Sequence, residues 1–389
     1  MKIIWVAGAR PNFMKIAPIW KAMAAWNADR DSDATRFAPL LVHTGQHYDA
    51  NMSDVFFRDL ALPGPNYALG VGSGAHAEQT GRVMMAFERI LQQEKPDAVG
   101  VVGDVNSTCA CALTTAKSYV LPGNRAPLLI HVEAGLRSGD RLMPEEINRL
   151  VTDALADVLF TTEESGTQNL LKEGIPPKRI HFVGNVMVDS LMQALERDQA
   201  TPRRLEPLAP STGYGLVTLH RPSNVDDPTL LADIIAALQG IGQSIPLYMP
   251  IHPRTRAQWA DAHMIDLGSV ATDQLPEIPG LYGLPPLGYH DFLALMRQAA
   301  FVITDSGGVQ EESTVLGVPC LTLRENTERP ITVSVGTNVL LGRNPQALQE
   351  QVNRIRRGEW KKGAIPPGWD GHAAERIIAV LAKWGTETR

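Results

Sequence analysis

The sequence is short of several features that would place a protein in a class at once. Only three cysteines occur in 389 residues, which is too few for a disulfide framework. Cys109 and Cys111 are separated by one residue rather than the two of a common zinc-binding pair. We therefore expect no metal site here and interpret these cysteines as small buried hydrophobic residues.

Basic charge and long apolar runs are also missing. The formal net charge is −6, so the protein has no excess of positive charge with which to attract nucleic acid. No apolar run approaches the roughly 18 residues that span a bilayer. Met1 and Lys2 lead directly into the apolar segment IIWVA, without the pattern of a signal peptide. We expect a cytoplasmic protein that binds neither nucleic acid nor membranes.

Two common nucleotide-binding patterns are absent as well. The segment GARPNF, which follows the first apolar run, has a single glycine where a dinucleotide-binding turn has G-x-G-x-x-G. The sequence also lacks the G-x-x-x-x-G-K-[ST] loop of many ATPases. These absences argue against a nicotinamide cofactor and against ATP hydrolysis, and we expect no cofactor.

The sequence does contain short apolar runs that alternate with amphipathic segments. In the first half these runs lie at 2–9, 37–45, 96–104, 127–135, 158–162 and 179–186. Because apolar residues occupy both alternate positions, each run is typical of a strand that is covered on both faces, with helices as crossovers. The pattern predicts a doubly wound parallel sheet of the α/β class.

The same alternation begins again after a proline-rich segment at 197–213. The later runs GLVTLH, PLYMPIH, AFVITDS, PCLTLRE and TNVLLG predict a second Rossmann-like domain. We assign 1–186 to the first domain and 187–369 to the second, and we expect the helical segment 370–389 to pack back on the first. The predicted architecture is two doubly wound domains that face a cleft.

Polar residues follow many of the predicted strands, at the sheet edge where ligands bind in this fold class. Any one of them could be a helix cap or a solvated charge, but their joint occurrence indicates a ligand site. They include Arg10, Asn12, Lys15, Gln46, His47, Asp49, Asp104, Asn106, Glu133, Arg137, Glu145, His220, Arg221, His252, Arg254, Ser306 to Glu312, Arg324, Glu328 and Arg329.

The segment DSGGVQEES at 305–313 follows an apolar run and begins a predicted helix. Gly307 and Gly308 would let phosphates approach backbone N–H groups at the helix N-terminus. Successive helical residues diverge by about 100°, so Glu311 and Glu312 cannot both face one ligand atom. We expect Glu312 to accept hydrogen bonds from a ribose diol, as in a nucleotide, and Glu311 to be structural. The basic residues expected to face the diphosphate are Arg10, Lys15, His220 and Arg329.

Ten motifs carry a resemblance to a known family. They are GARPNFMKIAPI (8–19), HTGQHYD (43–49), VVGDVNST (101–108), HVEAGLRS (131–138), MPEEINR (143–149), TLHRPSN (218–224), PIHPRT (250–255), LPPLGYHDFL (284–293), TDSGGVQEES (304–313) and TERP (327–330). In this order they resemble the non-hydrolysing UDP-N-acetylglucosamine 2-epimerases. Ala9 and Asn12 replace the Thr and Glu of many members, and the HYD and RLMPEEINR segments resemble a branch that includes epimerases of modified UDP sugars.

The resemblance implies a GT-B fold, a homodimer and an isomerase that needs no redox cofactor. In this family C2 of UDP-GlcNAc is inverted to give UDP-ManNAc, by anti-elimination of UDP to a 2-acetamidoglucal and re-addition on the other face. The positions that match the family's catalytic residues are Asp104, Glu133, Glu145 and His220. Those that match its substrate-binding residues are Arg10, Lys15, Phe292, Ser306, Gly307, Gly308, Glu312 and Arg329. Gln46, His47 and Glu146 lie in motifs that form a second, allosteric UDP-GlcNAc site in some relatives.

Three alternative functions remain at this stage. A 2-epimerase of a modified sugar, such as UDP-2,3-diacetamido-glucuronate, would keep the same motifs. A GT-B glycosyltransferase would share the nucleotide-binding half but would not need the acids of HVEAGLRS and MPEEINR. A non-catalytic sensor of nucleotide sugars would not need those acids either, so their presence favours an epimerase.

Overall fold

The computed structural model describes residues 1–29, 35–46, 57, 60–200, 213–251, 275–276 and 278–387. The proline-rich segment 197–213 therefore lies mostly outside the described residues. The chain divides into two compact units, of which the first comprises Met1–Ser190 together with Pro367–Arg389 and the second comprises Leu191–Pro366.

The first unit is built on a seven-stranded sheet within the described residues. Its strands are β1 (Lys2–Ala7), β2 (Ala38–His43), β3 (Tyr67–Ala68), β4 (Ala98–Val102), β5 (Leu128–Ala134), β6 (Val158–Thr161) and β7 (Ile180–Phe182). They run parallel in the order β3-β2-β1-β4-β5-β6-β7. The helices are α1 (Arg10–Ala28), α2 (His76–Glu94), α3 (Asn106–Ala116), α4 (Pro144–Leu155), α5 (Glu164–Lys172) and α6 (Val186–Ala200), the last of which continues into the second unit. A short 3-10 turn occupies Pro177–Arg179.

The second unit has a six-stranded parallel sheet among its described residues. Its strands are β8 (Gly215–Thr218), β9 (Pro246–Pro250), β10 (Gly280–Leu284), β11 (Phe301–Thr304), β12 (Cys320–Thr322) and β13 (Asn338–Leu340). Their order is β10-β9-β8-β11-β12-β13. The helices are α7 (Pro222–Val225), α8 (Pro228–Gly242), α9 (Tyr289–Gln298), α10 (Gly307–Leu316), α11 (Pro330–Ser334) and α12 (Gln346–Arg356). The prediction of two doubly wound parallel sheets is confirmed.

The last helix, α13 (Ala373–Glu387), belongs to the first unit. Its apolar residues Ile377 and Leu381 share a buried cluster with Ile16 and Ile19 of α1. The carboxylate of Asp189, on α6, accepts hydrogen bonds from the first two backbone N–H groups of α13, at 3.1 and 2.7 Å. This cap ties the start of α6 to the first unit, whereas the boundary expected from the sequence falls at the N-terminal end of α6.

Helix α1 contains a proline in its interior, at position 18. Because proline has no N–H, the carbonyl of Met14 loses the donor it would have within the helix. The hydroxyl of Ser190 donates a hydrogen bond to this carbonyl instead. The proline is therefore tolerated, and the hydrogen bond attaches α6 to α1.

The three cysteines are buried and make no disulfide, as predicted. Burial raises the pKa of the Cys109 thiol and raises that of the Cys320 thiol to about 11, so neither is set up as a nucleophile. Within the described residues, no group of three or more histidine, cysteine or carboxylate side chains is placed to hold a metal ion. No described helix is both long and apolar enough to cross a bilayer.

Candidate active site

Glu133 lies at a bulge near the C-terminal end of β5. The pairing of β5 with β6 shifts register between Val132 and Ala134, and Glu133 itself has a φ of 74°. A residue with a side chain rarely adopts this left-handed conformation, which costs about 1–3 kcal/mol and tends to occur at functional sites. The side chain of Glu133 is only 4% exposed. The strained backbone thus directs a carboxylate into the interior.

Lys15 of α1 forms an ion pair with Glu133. The turn after β4 lies against this pair, because a Cβ at Gly103 would come within 2.9 Å of the Lys15 ammonium nitrogen and 3.9 Å of Glu133 Oε2. Gly103 also has a φ of 68°, so glycine fits this position for both reasons. The carboxylate and its cation therefore lie beside the turn that leads to Asp104.

Asp104 follows that turn and retains 29% side-chain exposure. Its carboxylate pairs with the guanidinium of Arg149, and its backbone carbonyl accepts a hydrogen bond from Asn148 Nδ2 at 2.9 Å. Both partners belong to α4, and Arg149 is almost wholly buried. Helix α4 thus fixes the orientation of Asp104 while leaving part of the carboxylate accessible.

The first turn of α4 carries two glutamates in different settings. Glu145 is half-buried, and its side chain makes no hydrogen bond or ion pair among the described residues. Glu146 is buried and accepts hydrogen bonds from the backbone N–H groups of Ser138 and Gly139, at 3.0 and 3.1 Å, and from Arg149. Burial raises the pKa of Glu146, but these hydrogen bonds and the nearby guanidinium lower it below its usual value. Glu146 is therefore an internal anchor for the loop that precedes α4.

Gln46 lies in a motif that forms a second, allosteric site in some relatives, and its side chain makes hydrogen bonds within the first unit. Its Oε1 accepts hydrogen bonds from the backbone N–H and the hydroxyl of Ser107, at 3.1 and 2.7 Å. Ser107 lies in the first turn of α3 and packs so closely on Gly8 that a Cβ there would come within 2.5 Å of its hydroxyl. Gln46 therefore links the turn after β2 to the first turn of α3, which follows β4. His47 lies outside the described residues.

Asn12 occupies a position at which many members of the resembled family have glutamate. Its Oδ1 accepts hydrogen bonds from the N–H groups of Gly8 and Ala9, each at 2.9 Å, and its Nδ2 donates to the carbonyl of Val102 at 3.0 Å. Asn12 thereby caps the start of α1 and links it to the end of β4. Arg10, the first residue of α1, is exposed beside this cap.

In the second unit, the N-terminal end of α10 is open in the way a phosphate site requires. Ser306 occupies the N-cap position without a side-chain capping bond, and the first turn carries no acidic residue. Among the described residues, a Cβ at Gly308 would meet no atom within 4 Å, so packing in this part of the chain does not explain the glycine. Uncapped N–H groups and the helix dipole at such an end favour an anion.

His220 lies at the end of β8 and is oriented by a buried carboxylate. Its Nδ1 is 3.2 Å from Oδ1 of Asp305, which also accepts hydrogen bonds from the N–H groups of His220 and Arg221 and from Asn224. A proton on Nδ1 points at the carboxylate, which fixes the orientation of the ring. The side chain of His220 is 40% exposed, so a ligand can reach it.

Two predicted diphosphate-binding cations are not on an exposed rim. Arg329 Nε donates to Glu311 Oε1 at 2.5 Å, and both side chains are buried. Lys15 is buried against Glu133 in the same manner. These pairings follow from burial, because a charge removed from water requires an opposite charge close by. Glu311 is thus a structural partner of Arg329, while Glu312 is the following residue on the helix.

A cluster of charges lies beside the start of α10. Glu328 accepts a hydrogen bond from Arg324 Nη2 at 2.7 Å and is 3.7 Å from Arg221. Burial raises the pKa of Glu328, but the positive charges of Arg329, Arg324 and Arg221 hold it far below its usual range. Glu328 Oε1 would lie 3.0 Å from a Cβ at Gly307. The cluster therefore adjoins the N-terminal end of α10, where a phosphate could bind.

Phe292 of α9 is half-buried. It packs against a cluster of buried residues that includes Leu293, Leu295 and Met296. One part of the ring therefore stabilises the unit, while another part remains accessible.

Comparisons with known proteins show which family the chain belongs to. The sequence model of a family described as UDP-N-acetylglucosamine 2-epimerase matches residues 30–382. The UDP-N-acetylglucosamine 2-epimerase of Methanocaldococcus jannaschii is 39% identical over 391 residues, which cover 98% of this chain and 99% of the relative. The UDP-2,3-diacetamido-2,3-dideoxy-D-glucuronate 2-epimerase of Pseudomonas aeruginosa is 38% identical over 388 residues, 98% of this chain and 100% of the relative. The crystal structure of the M. jannaschii enzyme in complex with UDP-GlcNAc and UDP superposes with a TM-score of 0.84 at 38% identity, covering 98% of this chain and 100% of that one.

Proposed function

Because the chain belongs to the UDP-N-acetylglucosamine 2-epimerase family, whose members are isomerases, we propose that it interconverts UDP-GlcNAc and UDP-ManNAc. The observation that carries this proposal is the position of Glu133, a buried carboxylate on a strained bulge, beside the turn that presents Asp104. The second unit contributes an uncapped helix N-terminus and an oriented histidine. These are the groups that proton transfer at a sugar carbon and departure of a diphosphate require.

The proposed reaction inverts C2 in two halves. In the first, the bond between C1 and the UDP oxygen breaks with its electron pair on UDP, and a carboxylate takes the proton from C2, which forms the C1=C2 double bond of 2-acetamidoglucal. In the second, a proton is delivered to the opposite face of C2 and the UDP oxygen adds to C1. The C2–H of an acetal is weakly acidic, so departure of UDP must develop positive charge at C1 as the proton leaves.

Two groups are needed because one base cannot readily serve both faces of C2. Asp104, Glu133 and Glu145 are the carboxylates proposed to exchange protons there, and each is held by a different backbone element. Lys15 and Arg149 orient two of these acids. We assign Lys15 this orienting role, rather than contact with the diphosphate.

The leaving diphosphate gains negative charge as it departs, and the second unit offers the groups to stabilise it. We assign the phosphates to the backbone at Ser306, Gly307 and Gly308 and to His220 Nε2, with Arg10 as a further cation. Glu312 is assigned to the ribose diol and Phe292 to the uracil ring. Arg329 supports this site indirectly, through its ion pair with Glu311.

The test of this mechanism is the fate of the C2 hydrogen. Product formed from UDP-GlcNAc in deuterium oxide is expected to carry deuterium at C2, as read by proton NMR. Asp104→Asn, Glu133→Gln and Glu145→Gln should each lower kcat by roughly 100-fold if the acid transfers a proton, with the affinity for UDP retained. Full retention of protium at C2 in wild-type product would exclude elimination with exchange and would point to oxidation at another carbon or to internal return.

A second candidate substrate is a 3-acetamido uronic derivative of UDP-GlcNAc. The P. aeruginosa relative named for that activity is almost as similar as the M. jannaschii enzyme, at 38% against 39% identity. Both reactions use the same chemistry at C2, so the catalytic residues do not separate them. Parallel NMR assays with the two UDP sugars, compared by kcat/KM, decide between the substrates.

The family resemblance also leads us to propose a cytoplasmic homodimer. Light scattering coupled to gel filtration should give the mass of two chains, and cell fractionation should place the protein with cytoplasmic enzymes. A mass of one chain at micromolar concentration would contradict the dimer.

A further inference from the structure

On the basis of the function proposed above, the structure assigns a positioning role to a second pair of residues, His131 and Asp153. We infer that this pair clamps together the turn that presents Asp104 and the bulge that presents Glu133. Neither residue is needed to touch the sugar in this role, because each acts through backbone groups beside the two acids.

His131 supplies the first half of the clamp. It lies on β5, two residues before Glu133, and is fully buried. Its Nε2 is 2.9 Å from the carbonyl oxygen of Gly103, which belongs to the peptide group that joins Gly103 to Asp104. In the opposite direction, the N–H of Gly103 donates to the carbonyl of Val132 at 3.1 Å. The peptide groups on both sides of Gly103 are thus bonded to β5.

Asp153 supplies the second half from α4. Its Oδ1 lies 2.6 Å from His131 Nδ1, and its Oδ2 accepts hydrogen bonds from the N–H of Gly135 at 3.0 Å and from Arg137 at 2.7 Å. Gly135 is two residues after Glu133 and packs so tightly that a Cβ would lie 2.2 Å from the carbonyl oxygen of Gly166. The pair therefore holds β5 on both sides of the strained residue.

The hydrogen bonds also specify the protonation of the ring. Nδ1 faces a carboxylate and Nε2 faces a carbonyl, and both partners can only accept. For both hydrogen bonds to form at once, each ring nitrogen must carry a proton. Burial raises the pKa of Asp153, but the charges of His131 and Arg137 and their hydrogen bonds bring it below its usual value.

Positioning matters here because proton transfer is sensitive to small displacements. A shift of about 1 Å in a reacting group can cost a factor of 100 in rate. The conformation of Glu133 is strained, so without external restraint the bulge would relax towards ordinary strand geometry. The clamp supplies that restraint at the two points where the chain enters and leaves the reacting region.

Two substitutions of His131 separate its two bonds. In His131→Gln the amide nitrogen can take the place of Nε2 and keep the bond to Gly103. In His131→Asn the amide nitrogen takes the place of Nδ1 and keeps only the bond to Asp153. We expect His131→Asn to lower kcat by about 100-fold, with KM and the Kd for UDP changed less than about threefold. The His131→Gln variant should have a kcat within about tenfold of the wild type.

Glu173→Gln is the matched control, because Glu173 binds Arg137 at the outer end of the same network and touches neither turn. The kcat of this variant should stay within about twofold of the wild type.

A measurement that does not depend on activity completes the test. Nitrogen NMR of wild-type protein carrying labelled histidine should show both ring nitrogens of His131 protonated at pH 7, and Asp153→Asn should abolish this signature. If the wild type epimerises neither UDP sugar, the proposed function fails, while the NMR result still decides the clamp. A ring with one unprotonated nitrogen overturns the clamp. So does a folded His131→Asn variant with wild-type kcat, or one in which kcat, KM and UDP affinity all deteriorate together with the melting temperature.

Discussion

Lys15 and Glu133 form an ion pair in which each side chain is less than a tenth exposed. Lys15 reaches this position from the second turn of α1, and Glu133 reaches it from the bulge in β5. The pair joins α1 to β5 at the C-terminal edge of one parallel sheet. This edge is where ligands bind in doubly wound folds. A buried pair of this kind is costly to break, because removal of one partner leaves the other charge without compensation.

Lys15→Met is expected to destabilise the first unit by about 3–5 kcal/mol, since the Glu133 carboxylate would remain buried without its cation. The double variant Lys15→Met with Glu133→Gln should regain most of this stability, because no charge is left to compensate, but it should not regain activity. Melting temperatures and kcat of the three proteins test both statements. A single Lys15→Met variant as stable as the wild type would contradict the ion pair.

The left-handed backbone at Glu133 makes a separate prediction about stability. Glu133→Gly and Glu133→Ala both remove the carboxylate and both leave Lys15 unpaired, so they differ only in the Cβ. Because glycine adopts a φ of 74° without strain, the glycine variant should be more stable than the alanine variant by about 1 kcal/mol. Equal melting temperatures, or a more stable alanine variant, would show that the bulge relaxes in the absence of the carboxylate.

Substitutions of the two adjacent glutamates on α10 should affect different properties, namely UDP affinity and thermal stability. Glu312→Gln is expected to weaken UDP binding by about 1–3 kcal/mol, through loss of charge-assisted bonds to the ribose. Glu311→Gln should leave UDP affinity nearly unchanged but lower the melting temperature, because it removes the partner of buried Arg329. Titration calorimetry with UDP and thermal denaturation separate these effects, and the same loss of affinity in both variants would exclude the assignment.

The cap on α13 predicts a dependence of stability on pH. Burial raises the pKa of Asp189 from its ordinary value of 3.8 to about 6. Between these two pH values the folded protein therefore keeps a proton that the unfolded chain releases. This group therefore contributes most to stability below about pH 4, and its contribution falls by up to about 3 kcal/mol as the pH rises through 6. The melting temperature of Asp189→Asn, measured relative to the wild type, should increase between pH 4 and pH 7. A constant difference across this range would contradict the raised pKa.

The fold could be predicted where burial leaves a simple pattern in the sequence. Strands β1, β4 and β5 lie in the middle of a sheet and are apolar at both alternate positions, so their sequences indicate strands directly. Edge strands β3 and β10 were not predicted, because one has only two residues and the other contains Gly280 and Gly283. Helix α2 was also missed, although Val83, Phe87 and Ile90 have the spacing of a buried helical face.

The site was predictable as a set of residues but not as a set of contacts. Motifs identified the acids and the glycine-rich turn, because these depend on neighbours in the sequence. The pairing of Lys15 with Glu133, and of Arg329 with Glu311, depends on which distant segments burial brings together. Asp305 and Asp153 were not singled out at all, since each acts as a partner of another side chain. A carboxylate directly after a buried strand was the available signal for Asp305.

The attachment of α13 to α1 has a consequence for the order of events during synthesis. The ribosome completes the whole second unit before α13 is made, yet the apolar side chains of Ile16 and Ile19 are covered partly by α13. The apolar surface of α1 in the nascent first unit therefore stays uncovered until α13 is made. The second unit is one continuous stretch of chain and can fold before that. We therefore expect the usual order, in which the N-terminal domain matures first, to be reversed for this chain. Chaperones that recognise exposed apolar helices would therefore meet the growing chain at α1 until α13 covers it.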